Sequence, residues 1–165
     1  MSLNIVLHEP EIHSNTGNIG RTCVATGVSL HLIKPLGFEL DDKHLRRAGM
    51  DYWKEIDLHV YEDYEDFLAK NPGAVIYFAT TKAHKVYTDV RYPDDCFIMF
   101  GKESAGIPEE ILVDNEETCV RIPMIGDTRS LNLSNSAAIR VYEYLRQHDF
   151  KGLRTEGELH RLSWK

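Results

Sequence analysis

The stretch IPMIGDTRSLNLSNSAA, residues 122–138, decides the fold class. It mixes one Pro and one Gly with several Ser and Asn residues, so it fits neither a plain strand nor a plain helix. It indicates a strand that ends at Ile122, an irregular loop, and a helix that opens near Ser134. Two segments share its character: NTGNIGRT at 15–22 and FGKESAGIP at 100–108. Each sets small and polar residues near the end of an apolar strand, where α/β sheets build ligand sites.

Outside these segments the chain alternates short apolar runs with helical patterns. The predicted strands are Leu3–Leu7, Leu30–Lys34, Leu58–Tyr61, Ala74–Ala79, Cys96–Phe100 and Thr118–Ile122. The predicted helices are Thr16–Thr26, Asp41–Ala48, Tyr64–Lys70, Pro108–Leu112 and Ser134–Gln147. Continuous apolar strands that alternate with helices indicate an α/β fold, a parallel sheet with helices on both faces. We predict a single domain over residues 1–150 and a C-terminal tail over 151–165.

Helix ends and helix faces can be predicted for two of these helices. Asn15 is the predicted N-cap of the first helix, and Gly27 is its predicted stop. In the last helix, core spacing selects Ala138, Val141, Tyr142 and Leu145.

Composition narrows the class of protein. The 165 residues suit one domain, and the formal net charge of −7 argues against a nonspecific nucleic-acid coat. The basic residues can form a local basic face or belong to an ordinary solvated surface, and both interpretations remain possible. The candidates for a basic face include Arg46, Arg47, Lys151, Arg154, Arg161 and Lys165. No apolar run approaches the ~20 residues of a membrane span, and the start MSLNIVLHEP lacks signal-peptide features. The three cysteines form no CxxC pair, which predicts buried free thiols in a reducing cytoplasm.

Three loops that follow strand ends are the candidate site: residues 79–82, 101–106 and 123–133. Their glycines would let exposed backbone groups hold a nucleotide-like cofactor, although ordinary tight turns explain them equally well. No P-loop motif and no dinucleotide fingerprint is present, which disfavours a nucleotide-dependent oxidoreductase. The eight histidines lack metal-ligand spacing, so we predict no metal site.

The three quoted segments resemble, in order and separation, the three motifs of the SPOUT class of S-adenosylmethionine-dependent RNA methyltransferases. The likeness covers about residues 3–148. Within the class, the chain is similar to the small enzymes that methylate the ribose 2′-oxygen of the wobble nucleotide of tRNA. Additional likeness lies in DDKHLRRAGMDYW at 41–53 and TTK at 80–82. The resemblance implies a C-terminal trefoil knot in the sheet, a homodimer, and S-adenosylmethionine as cofactor.

The resemblance also implies roles for individual residues. The cofactor-binding positions are Ala79, Thr80, Gly101, Gly106, Ile122, Met124, Ser130 and Leu131. The positions that act on the RNA side are Arg21, Glu103, Ser130 and Asn132. In this reading Arg21 stabilises the developing negative charge on the 2′-oxygen, since a guanidinium is a poor base. Glu103 would hold Arg21 or a base edge, and Ser130 and Asn132 would orient the ribose.

Simpler readings of these residues stay open. Arg21 can be a surface charge, Glu103 a turn carboxylate, and Ser130 and Asn132 caps of the last helix. Two other functions also remain: methylation of another tRNA or rRNA position, and a non-catalytic RNA-binding dimer of the same fold.

Overall fold

A seven-stranded sheet forms the centre of the protein in the computed structural model, which describes residues 2–41, 43, 51–126 and 129–165. The strands are β1 Ser2–His8, β2 Ser29–Ile33, β3 Leu58–Tyr61, β4 Ile76–Ala79, β5 Lys85–Val86, β6 Asp95–Phe100 and β7 Cys119–Arg121. Their spatial order is β3-β2-β1-β6-β4-β7-β5, and every ladder is parallel. The predicted parallel sheet is therefore confirmed. The two-residue strand β5 escaped prediction because it is too short to show a pattern.

Helices cover both faces of the sheet. They are α1 His13–Thr26, α2 Tyr64–Lys70, α3 Glu109–Val113 and α4 Leu133–Gln147, with 3₁₀ turns at Asp51–Glu55 and Glu116–Thr118. Successive residues of a strand point to opposite faces. Accordingly, Ile5 and Ile98 join a core with residues of α1 and α4, whereas Val6 and Met99 join one with residues of α2 and α3. Nearly all of the helix predicted at Asp41–Ala48, with Arg46 and Arg47, lies outside the described residues.

The helix ends and faces correct two predictions. Helix α1 begins at His13 with Ile12 at the N-cap position, so Asn15 lies inside the helix rather than capping it. The predicted stop is confirmed, because Gly27 takes the left-handed conformation with φ 69°. In α4, Val141 and Leu145 are buried as predicted, but Tyr142 is 49% exposed and Tyr144 takes its place in the core.

The cysteines agree with the prediction of buried free thiols. Cys23, Cys96 and Cys119 are buried free thiols, and burial raises the pKa of Cys23 and of Cys96 to about 12. Among the described residues, no helix is both long enough and apolar enough to cross a membrane.

Candidate functional site

A cavity of about 520 Å³ opens at the carboxyl ends of β4, β6 and β7. Because the strands are parallel, the loops that follow them meet at this edge of the sheet. The cavity walls come from loop residues 80–82, 101–107, 122, 124 and 130–132, from the start of α1, and from the first two turns of α4. Its size falls within the range of pockets that hold small organic ligands. The three segments that the sequence singled out therefore converge on one pocket.

The eight residues expected to bind a cofactor all line this cavity: Ala79, Thr80, Gly101, Gly106, Ile122, Met124, Ser130 and Leu131. Glu103 and Asn132, expected on the RNA side, line it as well. Position alone does not assign their roles, but it makes a shared ligand site chemically reasonable.

The loop after β6 is folded so tightly that it requires glycine. Lys102 and Gly106 form an isolated bridge, in which the Gly106 N–H donates to the Lys102 carbonyl at 2.8 Å. Gly106 has φ +72°, and a Cβ on Gly101 would lie 1.9 Å from the Gly106 carbonyl carbon. Backbone atoms therefore form this wall of the cavity.

A polar junction centred on the buried Asn15 joins the three segments to one another. The Glu103 carboxylate accepts hydrogen bonds from the N–H groups of Glu11 at 2.8 Å and Ile12 at 3.2 Å, and from Asn15 Nδ2 at 3.3 Å. Asn132 Nδ2 donates to Asn15 Oδ1 at 3.0 Å. Asn15 is only 6% exposed and is the residue that connects the other two. Sequence reasoning treated it as a cap and missed this role.

The junction corrects the expected role of Glu103 and supports a simple one for Asn132. Both Glu103 oxygens hold the start of α1, so this carboxylate does not hold Arg21. Asn132 is the N-cap of α4, and its Oδ1 accepts from the N–H groups of Ser134 at 2.9 Å and Asn135 at 3.3 Å. The capping alternative is confirmed for Asn132. Ser130 lines the cavity and is exposed.

Arg21 lies on α1 but not in the cavity of its own chain. It is exposed and makes no hydrogen bond or ion pair within the part of the chain that the structure describes. Asn15, which faces the cavity, stands six residues earlier. Six residues turn a helix by about 600° and advance it by about 9 Å, which leaves the two side chains about 120° apart. The structure therefore does not bring Arg21 together with the other predicted site residues.

Arg140 is a cavity residue that the sequence predictions missed. It is 3% exposed, on the face of α4 that also buries Ala137, Val141 and Tyr144. The sequence did contain a signal: positions 137, 140, 141 and 144 have the i, i+3, i+4, i+7 spacing of an apolar helix face, and the one at 140 is an arginine. The carbonyl of Val120 accepts from Arg140 Nη2 at 3.1 Å and from the Thr80 N–H at 3.1 Å.

Among the described residues, three cations line the cavity, Lys82, Lys102 and Arg140, together with one acid, Glu103. Lys82 pairs with Glu109 at 3.1 Å, and Lys102 pairs with Glu9 at 3.5 Å. Arg140 has no such acid. Within the described ranges, no cluster of His, Cys, Asp and Glu suited to a metal ion is found.

Comparison with known proteins agrees with this geometry. The model of the SpoU rRNA Methylase family matches residues 2–142. The chain belongs to the SpoU methylase family. It is 48% identical over 152 residues to the tRNA (cytidine(34)-2′-O)-methyltransferase of Escherichia coli strain K12. The matched region covers 91% of this chain and 96% of that relative.

Two solved structures have the same fold. One, described as giving structural insights into the 2-OH methylation of C/U34 on tRNA, matches with a TM-score of 0.84 and 39% identity, over 91% of this chain and 98% of that one. Another, an AdoMet-bound rRNA methyltransferase from Sinorhizobium meliloti, matches with a TM-score of 0.76 and 25% identity, over 88% of this chain and 56% of that one.

Proposed function

We propose that this protein is an S-adenosylmethionine-dependent tRNA methyltransferase that methylates the ribose 2′-hydroxyl of the wobble nucleotide, a cytidine or a modified uridine. The observation that carries the proposal is the cavity at the carboxyl edge of the sheet, where the three SPOUT-like segments meet. The near-complete coverage of the E. coli relative, at about half identity, supports the choice of tRNA and of position 34.

The residues of the cavity fit the cofactor. In the wall formed by residues 101–106, Gly101 has no room for a Cβ and Gly106 has a φ of +72°, so both positions offer backbone without a side chain to a ligand. The exposed Leu131 side chain and half-buried Ala79, Ile122 and Met124 offer apolar contacts to a purine ring. Bound there, S-adenosylmethionine would supply an electrophilic methyl group beside the loops.

Two further properties of SPOUT proteins belong to the proposal: the trefoil knot and the homodimer. Support for the knot comes from contacts at both ends of α4. At its start, the N-cap Asn132 donates to Asn15. Near its end, the Tyr144 hydroxyl donates to the Asp94 carbonyl and the Gln147 amide donates to the Val90 carbonyl, both in the segment before β6. Support for the dimer comes from the exposed apolar side chains Ile139 and Tyr142 on the same helix. We also place the protein in the cytoplasm, where its tRNA substrate would be found.

The dimer gives Arg21 a function that one chain alone does not. Arg21 is exposed and outside its own cavity, so we propose that it reaches the cavity of the partner subunit. There its guanidinium would stabilise the negative charge that develops on the 2′-oxygen as the proton leaves. Asn15, Glu103 and Asn132 would hold the cavity walls rather than touch the reacting atoms, because their polar groups bond one another or helix ends.

The substrate can be tested with purified protein and tRNA transcripts. We expect a ribose methylation at the wobble nucleotide, mapped by mass spectrometry, that is lost when this nucleotide carries a 2′-deoxyribose. Methylation at another tRNA position, or only in rRNA, would contradict the proposed substrate. Binding of both S-adenosylhomocysteine and tRNA without any methylation would favour the non-catalytic dimer instead.

Mixed dimers can test the position of Arg21. Arg21→Ala should lower turnover about 100-fold or more with S-adenosylhomocysteine affinity unchanged, since removal of a group that stabilises charge costs this much. Thr80→Trp should block the cavity and abolish affinity for S-adenosylhomocysteine. Dimers that combine the two variants would then have one complete site and regain up to half the wild-type activity. Mixed dimers with no activity would show that Arg21 acts within its own chain. Wild-type turnover in Arg21→Ala alone would show that Arg21 has no role in the reaction.

A further inference from the structure

The guanidinium of Arg140 is buried at the cavity without a matching negative charge. Nη1 donates to Ser136 Oγ at 2.6 Å and Nη2 donates to the Val120 carbonyl, whereas Nε has no hydrogen-bond partner. Its central carbon lies 5.6 Å from the centre of the Phe100 ring and 6.0 Å from that of Tyr87. Neutral acceptors and aromatic faces surround this cation, and in the described part of the chain no carboxylate lies within ion-pair distance.

Such an arrangement is costly in a folded protein. Removing a charge from water costs several kcal/mol, and a nearby anion normally offsets much of this cost. The other two cations of the cavity, Lys82 and Lys102, are more exposed and have acid partners. Arg140, the most buried of the three, is the one that lacks an acid.

We propose that Arg140 is the binding subsite for the carboxylate of the amino-acid portion of the methyl donor. This inference rests on the proposed function and adds to it the group that recognises one end of that ligand. A carboxylate is planar and accepts from two guanidinium N–H groups at once, and charge-assisted bonds of this kind are about twice as strong as neutral ones. Burial lowers the pKa of Arg140 to about 10, so the side chain remains charged at neutral pH.

An RNA phosphate is the other anion available to this enzyme, and the position of Arg140 disfavours it. The side chain is 3% exposed, hydrogen-bonded to Ser136 and close to the Phe100 ring, whereas a phosphate carries two esterified sugars that must stay outside a small cavity. A terminal carboxylate on a flexible chain has no such restriction.

The test measures affinities for two ligands that differ only in this group. S-adenosylhomocysteine carries the carboxylate, and its decarboxylated form carries hydrogen instead. By calorimetry, wild-type protein should prefer S-adenosylhomocysteine by about 10-fold or more, which corresponds to one charge-assisted bond. In Arg140→Met this preference should nearly disappear, while affinity for the decarboxylated ligand changes little.

Control variants separate this role from general effects. Lys82→Met removes another cavity cation, already paired with Glu109, and should keep the wild-type preference. Arg140→Lys, which retains a positive charge, should keep part of it, and it replaces Arg140→Met if the latter does not fold. Affinity for tRNA should be unchanged in all three variants.

Three outcomes would overturn the inference: no preference in the wild-type protein, a preference retained in Arg140→Met, or a loss of affinity for tRNA instead. If wild-type protein binds neither ligand, the proposed cofactor itself is wrong. If it binds both with a preference that Arg140 does not influence, only the subsite is wrong.

Discussion

The surroundings of His31 and those of Arg140 differ in how their buried polar atoms are satisfied. We call His31, Tyr61, Asn71 and Asn4 the histidine cluster. In it, Asn71 Nδ2 donates to the Tyr61 hydroxyl at 3.2 Å, and that hydroxyl lies 2.8 Å from His31 Nδ1. His31 Nε2 lies 3.0 Å from Asn4 Oδ1, whose amide group donates to the Cys96 carbonyl. A neutral His31 with its proton on Nε2 satisfies every one of these atoms.

Arg140 contrasts with this chain of bonds, because its charge and its Nε–H are not matched within the protein. The histidine cluster spans β1, β2, β3 and the end of α2, and none of its residues lines the cavity. Two other buried polar atoms, His8 Nδ1 and Thr16 Oγ1, also lack a hydrogen-bond partner, but neither residue lines the cavity. Arg140 differs from all of these because it combines a buried charge, an unpartnered Nε and a place in the cavity wall, and this combination indicates a ligand that completes the structure.

Of the substitutions considered, one at Gly101 should disrupt the cavity most, lowering both ligand affinity and unfolding free energy. In Gly101→Ala, the new Cβ would lie 1.9 Å from Gly106 and 2.1 Å from the Ile107 nitrogen, so the loop has to move. We expect affinity for S-adenosylhomocysteine to fall about 100-fold or more. Unfolding free energy should fall by about 3 kcal/mol, the upper range for overpacking.

Gly157→Ala is the matched control, because a Cβ at Gly157 meets nothing within 4 Å. It should bind S-adenosylhomocysteine as the wild-type protein does. Wild-type affinity in Gly101→Ala would show that the loop does not form the ligand site.

Lowering the pH should protonate His31 and disrupt the histidine cluster, whereas the Arg140 guanidinium at the cavity stays charged. Burial, with the nearby His59, lowers the pKa of His31 from 6.5 to about 4. Between these values the unfolded chain binds a proton that the folded protein excludes, so stability falls as pH falls. A shift of this size corresponds to a loss of about 3 kcal/mol between pH 7 and pH 4.

Chemical denaturation at several pH values would measure this effect. His31→Gln should remove most of the slope between pH 6.5 and about pH 5, because it deletes the titrating group. His160→Gln, in the exposed tail, should keep the wild-type slope. His8, whose pKa burial also lowers, contributes in the same direction, and below about pH 5 so do carboxylates whose pKa hydrogen bonds lower, such as Asp57 and Glu143. Equal slopes in wild-type protein and His31→Gln would refute the assignment.

Much of the fold could be predicted from sequence because its signals are local. Leu58–Tyr61 and Tyr64–Lys70 have the predicted bounds, since an apolar strand run and a helix stopped by Asn71, Pro72 and Gly73 need no distant information. The cavity residues were likewise predicted, although from resemblance to a family and not from spacing alone.

Features that depend on contacts distant in sequence could not be predicted in this way. Glu103 bonds residues 88 to 92 positions away, and Asn132 bonds Asn15 across 117 positions. No local pattern encodes such pairs. Arg140 gave a local signal, a charge on an apolar helix face, but only the three-dimensional structure shows that it lacks an acid.

Loss of Asn15 should weaken the cavity walls by a smaller amount. Asn15→Ala leaves Asn132 Nδ2 without its acceptor and removes one donor from Glu103. Each hydrogen bond contributes about 1 kcal/mol net, and two are lost, so we expect unfolding free energy to fall by about 2 kcal/mol. S-adenosylhomocysteine affinity should fall as well, because the junction holds two walls of the cavity. Asn18→Ala, at an exposed position of the same helix, should change neither quantity; equal effects of the two variants would exclude a special role for the junction.

The smallest predicted effect is at Gly27, which lies in neither of the compared regions. Its φ of +69° strains any side chain, and a Cβ there meets nothing within 4 Å, so Gly27→Ala should cost about 1 kcal/mol through the backbone alone. Because this loss is global, S-adenosylhomocysteine affinity and the pH dependence due to His31 should both match wild type. If Gly27→Ala weakened ligand binding as strongly as Asn15→Ala does, the affinity losses would reflect a general loss of stability. They would then not distinguish the cavity, whose buried charge needs a ligand, from the histidine cluster, whose polar atoms are satisfied within the protein.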